Sequence, residues 1–235
     1  MLAFQDVVEN SEIFCHEDDI SKAAVKSLND PYERCRELSC KVYLLFLQHF
    51  EAEKTRKIFP VLIQTLSRKL SSEDEYEPSE EVRMNMLELV SYLVDGFSQD
   101  ITVYADDIVD ILLQTLTDDC PSIKKMSAEN VSKLKINHKR SLKKKGQNLV
   151  GPLAKSLIHR QYGVREAAVQ ALGDLVLSTD GGVFENVVSH IAQRTFDPSP
   201  YVRKQVALIT GAWLIEFPDR YSYFYKIVPL LIVSL

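Results

Sequence analysis

The sequence predicts an all-α fold, a right-handed α-solenoid of about five and a half stacked helical hairpins. Three observations lead there. Gly and Pro are sparse, 8 and 9 of 235 residues, and β-branched alternation is weak. Apolar residues recur at spacings of three, four and seven, the signature of one helical face. An acid and a base six residues apart return with a period of about 40 residues, which marks an internal repeat.

The bases of this repeat are Arg36, Arg83, Lys124, Arg165 and Arg203, separated by 47, 41, 41 and 38 residues. Six residues before them stand Asp30, Glu77, Asp118, His159 and Asp197, so the fourth unit keeps the base and replaces the acid. Pro follows the acid at Pro31, Pro78 and Pro198, and comes three residues on at Pro121. The period is that of HEAT or armadillo arrays. The apolar residues keep the same register. Cys35, Val82, Ile123, Val164 and Val202 precede the base, and Cys40, Leu87, Ala128, Val169 and Ala207 follow it by four. Phe46, Leu93, Leu134, Leu175 and Trp213 follow it by ten. Each acid therefore reads as a turn residue that caps the second helix of a hairpin, with the adjacent Pro in the first helical turn.

The first helices are FPVLIQTL, YADDIVDILLQTL, LVGPLAKSLI, ENVVSHIAQRTF and KIVPLLIVSL. The repeats then fall at about 1–50, 51–98, 99–140, 141–180 and 181–217, with a partial unit over 218–235, in a single solenoid over 1–235. Pro152 stands seven residues before the turn position at His159, and by the same spacing Pro229 places a turn at the residue after Leu235. The pattern thus stops mid-repeat and predicts either a piece of a longer array or an apolar end that docks on something else. The second hairpin carries an insertion, SSEDEYEPSEE (71–81), with six acids in eleven residues, which reads as a solvated, mobile loop.

The composition is that of a soluble globular protein, 46% hydrophobic and 26% charged. No apolar run long enough for a transmembrane helix is present, and the acidic N-terminus MLAFQDVVENSEIF does not read as a signal peptide. Four cysteines (Cys15, Cys35, Cys40, Cys120) show no metal or redox spacing, which points to a reducing, cytoplasmic setting. The net charge of −5 divides unevenly. Residues 1–120 hold 25 acids and 11 bases, residues 121–235 hold 8 acids and 17 bases, so the halves carry fields of opposite sign.

Motifs for chemistry are missing. The five histidines are scattered, Gly181-Gly182 has no phosphate-loop context, and there is no G-x-S-x-G. CHEDD (15–19) has ligand-type side chains crowded at a helix approach, which does not make a metal site. The chain reads as a non-enzyme with no cofactor, small-molecule substrate or membrane partner. The pairs Asp30/Arg36, Glu77/Arg83, Asp118/Lys124 and Asp197/Arg203, with Arg165, read as a structural ladder, because a catalytic dyad would occur once. Trp213, at a position where other repeats place Phe or Leu, reads as core, and Cys35 and Cys40 read as small buried thiols.

Two segments are candidate partner surfaces. KLKINHKRSLKKK (133–145) holds seven bases in thirteen residues, including Lys139, Arg140, Lys143, Lys144 and Lys145. It reads as an inter-repeat linker or as a docking site for an acidic partner. No aromatic residue interleaves with its bases, so stacking of single-stranded nucleic acid is not favoured. The second, WLIEFPDRYSYFYKIVPLL (213–231), is rich in aromatics. Tyr221, Tyr223, Phe224 and Tyr225 are too many for one helical face, so the segment reads either as packing between hairpins or as a partner surface that includes Arg220, Tyr221, Tyr223 and Phe224.

The last two complete hairpins carry words that a generic array does not require. These are SHIAQRTFD, Gly211-x-Trp213-Leu214, and Asp219-Arg220-Tyr221-Ser222 followed by Phe224. With NDPYERCREL near the start they resemble the HEAT-repeat dynein axonemal assembly factors, in order over about residues 28–235 and most strongly from 148 onward. The acidic loop and the basic run are less family-like.

The resemblance implies a cytoplasmic, non-catalytic scaffold for preassembly of axonemal dynein arms for motile cilia or flagella. Its implied partners are dynein chains and chaperone or co-chaperone machinery. Two adaptor readings compete. A tubulin-binding HEAT domain would need basic or aromatic turns, and the turns here are acidic in sequence. A nuclear-transport or nucleic-acid adaptor would use residues 133–145.

Overall fold

The computed structural model describes residues 23, 25–49, 52–72, 74–179 and 181–234. Eleven α-helices and one 3-10 turn make up the regular structure among the described residues, and no strand occurs there. The chain divides into two compact units, residues 1–92 and 93–235.

The first unit contains α1 (Glu33–His49), α2 (Ala52–Arg56), α3 (Phe59–Ser71) and most of α4 (Glu80–Gly96). On α1 the buried residues are Arg36, Ser39, Cys40, Tyr43, Phe46 and Leu47, a stripe at helical spacing. Pro60 lies in the first turn of α3, where its missing N–H is not needed. Behind it Phe59, Leu62, Ile63, Leu66 and Leu70 are buried.

The second unit begins with the end of α4 and a 3-10 turn (Asp100–Tyr104). Then come α5 (Ala105–Thr115), α6 (Pro121–Asn137), α7 (Lys139–Ser156), α8 (Tyr162–Ser178), α9 (Gly181–Arg194), α10 (Pro200–Glu216) and α11 (Arg220–Ser234). First helices pack on first helices, α5 on α7 and α7 on α9, and second helices pack on second helices, α6 on α8 and α8 on α10. That alternation is what an α-solenoid does to bury hairpins that have too little core of their own. Helix α8 touches α6, α7, α9 and α10 and is buried nearly all round. Its Ala167, Ala168, Ala171 and Gly173 keep side chains short where neighbours come close.

The core positions of the repeat are largely filled as the register requires, but Cys35, expected as a buried thiol, and Ala207 are only partly buried. Phe46, Leu93, Leu134, Leu175 and Trp213 are all buried. Removing such side chains from water contributes roughly 1.5–3 kcal/mol each.

Three expectations are revised. The prolines beside the turn acids precede the helices: α1 starts at Glu33, α4 at Glu80 and α10 at Pro200, so Pro200 and Pro121 fill the first-turn place. The run 133–145 is helical rather than a linker, because α6 ends at Asn137 and α7 starts at Lys139, with His138 between them. The acidic insertion is anchored, because Glu77 is 1% exposed and its N–H bonds the Lys69 carbonyl. CHEDD lies outside the described residues.

Candidate functional site

Each turn of the repeat is tied by the same local bonds. The acid accepts from the backbone N–H two residues on: Asp30 from Tyr32, Glu77 from Ser79, Asp118 from Cys120 and Asp197 from Ser199. The acid therefore stands two residues before the N-cap, in an Asx-type turn, and the N-cap side chains of α6, α8 and α10 make no capping bond of their own. The base six residues later closes the turn from the other side. One nitrogen of Arg36, Arg83, Arg165 and Arg203 donates to the carbonyls of the turn's acid position and of the residue after it.

The rest of the guanidinium reaches the next hairpin. Arg36 donates Nε and an Nη to the two oxygens of Glu77 at 2.8 and 2.7 Å. Arg165 does the same to Asp197, at the same distances. These are planar bidentate pairs, the strong geometry for arginine and carboxylate. Burial works to raise the Asp197 carboxyl, but the Arg165 fork and the Ser199 N–H outweigh it and hold it below the usual range. Cys40, near the Arg36 rung in sequence, has its thiol pushed up to about 12, chiefly by burial.

The fourth turn keeps the bonds with different residues. His159 Nδ1 accepts from the Gln161 N–H at 3.1 Å, standing in for a carboxylate oxygen. An accepting Nδ1 places the proton on Nε2 in the neutral ring. The base one hairpin earlier is Lys124, which has no fork. A bidentate rung cannot form from Lys124 and His159, and both residue types change together.

A groove of about 600 Å³ opens beside this altered turn, where α6, α8 and α10 begin. Its walls include Pro121, Lys125, Arg160, Tyr162, Arg165 and Pro198, and no carboxylate lines it among the described residues. The Tyr162 and Tyr201 rings stack at its edge, 5.3 Å apart and 23° from parallel. Both stay half exposed, at 50% and 57%. Lys125 pairs only loosely with Glu129, at 3.6 Å. The ladder acids Asp118 and Asp197 do not set the sign of this surface, since they are 6% and 2% exposed. Outside them, Asp119, Lys125, Arg160 and Lys204 are exposed.

The basic run is largely engaged with acids. Lys133 pairs with Asp95, Lys135 with Asp174 and Glu216, Lys144 with Asp106 and Lys145 with Asp110. Lys144 and Ser141 hold the Asp106 carboxyl below its usual range. Lys139, Arg140 and Lys143 are exposed on the first turns of α7. The aromatic segment divides. Tyr223 turns inward against Phe184, with centroids 4.4 Å apart, while Tyr221, Phe224 and Tyr225 are exposed. Arg220 lies over the Tyr221 ring at 4.7 Å.

Sequence reasoning singled out Trp213 and passed over its acceptor. The indole Nε1 donates to the Gly173 carbonyl at 3.0 Å, and a Cβ on Gly173 would stand 2.6 Å from Ile209. It also passed over Lys125, Arg160, Tyr162 and Tyr201. The available signal was the word His159-Arg160-Gln161-Tyr162, which departs from the Asp-Pro-Ser-Pro of the next turn at every position.

None of these clusters has the form of a catalytic or metal centre. No group of three His, Cys, Asp or Glu side chains among the described residues is arranged to hold a metal ion. No described helix is long and apolar enough to cross a membrane.

Among solved structures, the chain is similar to a designed armadillo repeat protein in complex with the peptide (KR)4. The TM-score is 0.70 at 16% identity, covering 90% of this chain and 88% of that one. It is also similar to the karyopherin Kap121p bound to the SUMO protease Ulp1p, with TM-score 0.69 at 14% identity, covering 92% of this chain and 23% of that one. These likenesses place the fold among armadillo- and HEAT-type α-solenoids. By sequence, dynein axonemal assembly factor 5 of Xenopus laevis is 32% identical over 216 residues, covering 92% of this chain. The Homo sapiens protein of that name is 33% identical over 215 residues, covering 90%. The chain spans about a quarter of the length of these relatives, 26% and 25%. A family model described as "Dynein axonemal assembly factor 5-like, TPR repeats" matches residues 4–235, and the chain belongs to that family.

Proposed function

We propose that this chain is part of a non-catalytic scaffold that assists cytoplasmic preassembly of axonemal dynein arms for motile cilia or flagella. Its partners on this reading are dynein chains and the chaperone or co-chaperone machinery that folds them. The observation that carries the reading is membership of the dynein axonemal assembly factor 5-like family over residues 4–235. The fold supports it, because stacked hairpins offer a long surface on which many weak contacts add up. The ladder supports it in a negative sense: its charged pairs are spent on holding turns and neighbouring hairpins, which is structural work.

Affinity purification of the full-length protein from ciliated cells tests the proposal. Axonemal dynein chains or chaperone components should co-purify from cytoplasm, and motile-cilium dynein arms should be lost on depletion. Recovery of neither class, with arms intact after depletion, would overturn it.

A further inference from the structure

The altered fourth turn builds a surface that the repeat does not need. Where three of its siblings place Pro31, Pro78 or Pro198, this turn places Arg160, which is exposed. The turn would hold its bonds with an acid and a proline, as the next one does with Asp197 and Pro198. Tyr162 and Tyr201 stack from non-equivalent repeat positions, so their contact is not a by-product of the period. About half of each ring faces water, an unfavourable use of two tyrosines unless something covers them.

The lining has one sign. Lys125 and Arg160 project at the groove from two successive second helices and their turns, and Arg165 closes its floor while bound to Asp197. Two carboxylates of the turn edge are drawn inward, Asp118 to the Cys120 N–H and Asp197 to Arg165, while the exposed Asp119 stands outside the groove lining. A run of acids in an extended segment would meet the two cations, while an aromatic or aliphatic side chain would lie on the stacked rings. The charge complementarity and the ring platform together select an extended peptide over a folded domain face, since the groove is only about 600 Å³.

We propose that the groove formed by the starts of α6, α8 and α10 docks an acidic, extended peptide segment of a partner protein, with Lys125 and Arg160 binding its carboxylates and the Tyr162–Tyr201 platform holding a neighbouring apolar side chain. The proposal rests on the scaffold reading but not on dynein being the client, so its test and the co-purification above fail separately.

Fluorescence anisotropy with a short fluorescein-labelled, glutamate-rich peptide carrying one phenylalanine supplies the test. Binding should saturate and weaken as salt is raised, because the pairs are exposed. Lys125→Glu with Arg160→Glu should weaken it by about tenfold or more, and Tyr162→Ala by a few-fold, about 2 kcal/mol in total. All three side chains are exposed, and circular dichroism checks that the variants keep their helices. A lysine-rich peptide of equal length should not bind. Absence of saturable binding, undiminished binding by the charge-reversed variant, or tighter binding of a single-stranded oligonucleotide than of the peptide would overturn the proposal.

Discussion

Asp197 shows how much a single turn residue can be asked to do. Its carboxylate accepts the Arg165 fork from one hairpin and the Ser199 N–H from its own, and its side chain is 0% exposed. Replacing it with Asn keeps the shape and leaves Arg165 with an unpaired buried charge. Asp197→Asn should therefore destabilise the protein by about 3–5 kcal/mol at pH 7, read by urea denaturation. The pH dependence follows from the sign of the shift. The folded carboxyl is held below its unfolded value near 3.9, so the stabilisation is complete above that value and is lost as pH falls through the lower, folded one. Thermal unfolding should thus drop in temperature between about pH 5 and pH 2, more steeply in the wild type than in Asp197→Asn. The acid's existence was legible in the sequence. Which base it meets was not, because Arg165 is 32 residues away and Arg203, the base of its own turn, spends its bonds on backbone carbonyls.

At the scale of elements, two glycines in equivalent repeat places behave oppositely. Gly173 and Gly211 both stand eight residues after their ladder base. A Cβ on Gly173 would lie 2.6 Å from Ile209 Cγ2 and 2.8 Å from its Cβ, with no flexible end to move aside. The α8–α10 contact is set by that closeness, and Trp213 fixes it with a bond to the Gly173 carbonyl. Gly173→Ala should cost roughly 1–3 kcal/mol from overpacking, despite the gain of about 1 kcal/mol that alanine brings to a helix interior. A Cβ on Gly211 meets nothing within 4 Å. Gly211→Ala should leave stability unchanged or raise it by up to about 1 kcal/mol, by the same denaturation measurement. Periodicity identified both helices and their buried faces. It could not tell the two glycines apart, because the difference lies in the partner helix.

For the whole molecule, the repeat makes energetics local: a hairpin is stabilised chiefly by its neighbours in the stack. Hydrogen exchange of Gly173→Ala should show amide protection falling in α8 and α10, with α1 unchanged. A uniform loss in every helix would contradict that locality. Charge is also a property at this scale. The sequence places an acidic excess in residues 1–120 and a basic excess in 121–235. The fold redistributes the second, pairing Lys133, Lys135, Lys144 and Lys145 with acids of other helices and leaving Lys125 and Arg160 beside the groove.

The sequence by itself determined the helical class, the period, the buried register and the family, because each is carried by residue type at fixed spacing along the chain. The tertiary structure decided which way the charges face. The ladder acids, which read as structural turn residues, are mostly buried, and Glu77 and Asp197 are each held by the arginine fork of the preceding hairpin. A histidine turn that read as a lost acid opens onto cations and stacked tyrosines. The physical reason is that burial, and with it the sign of a surface, depends on groups about one repeat away. That distance is bridged only when the hairpins stack.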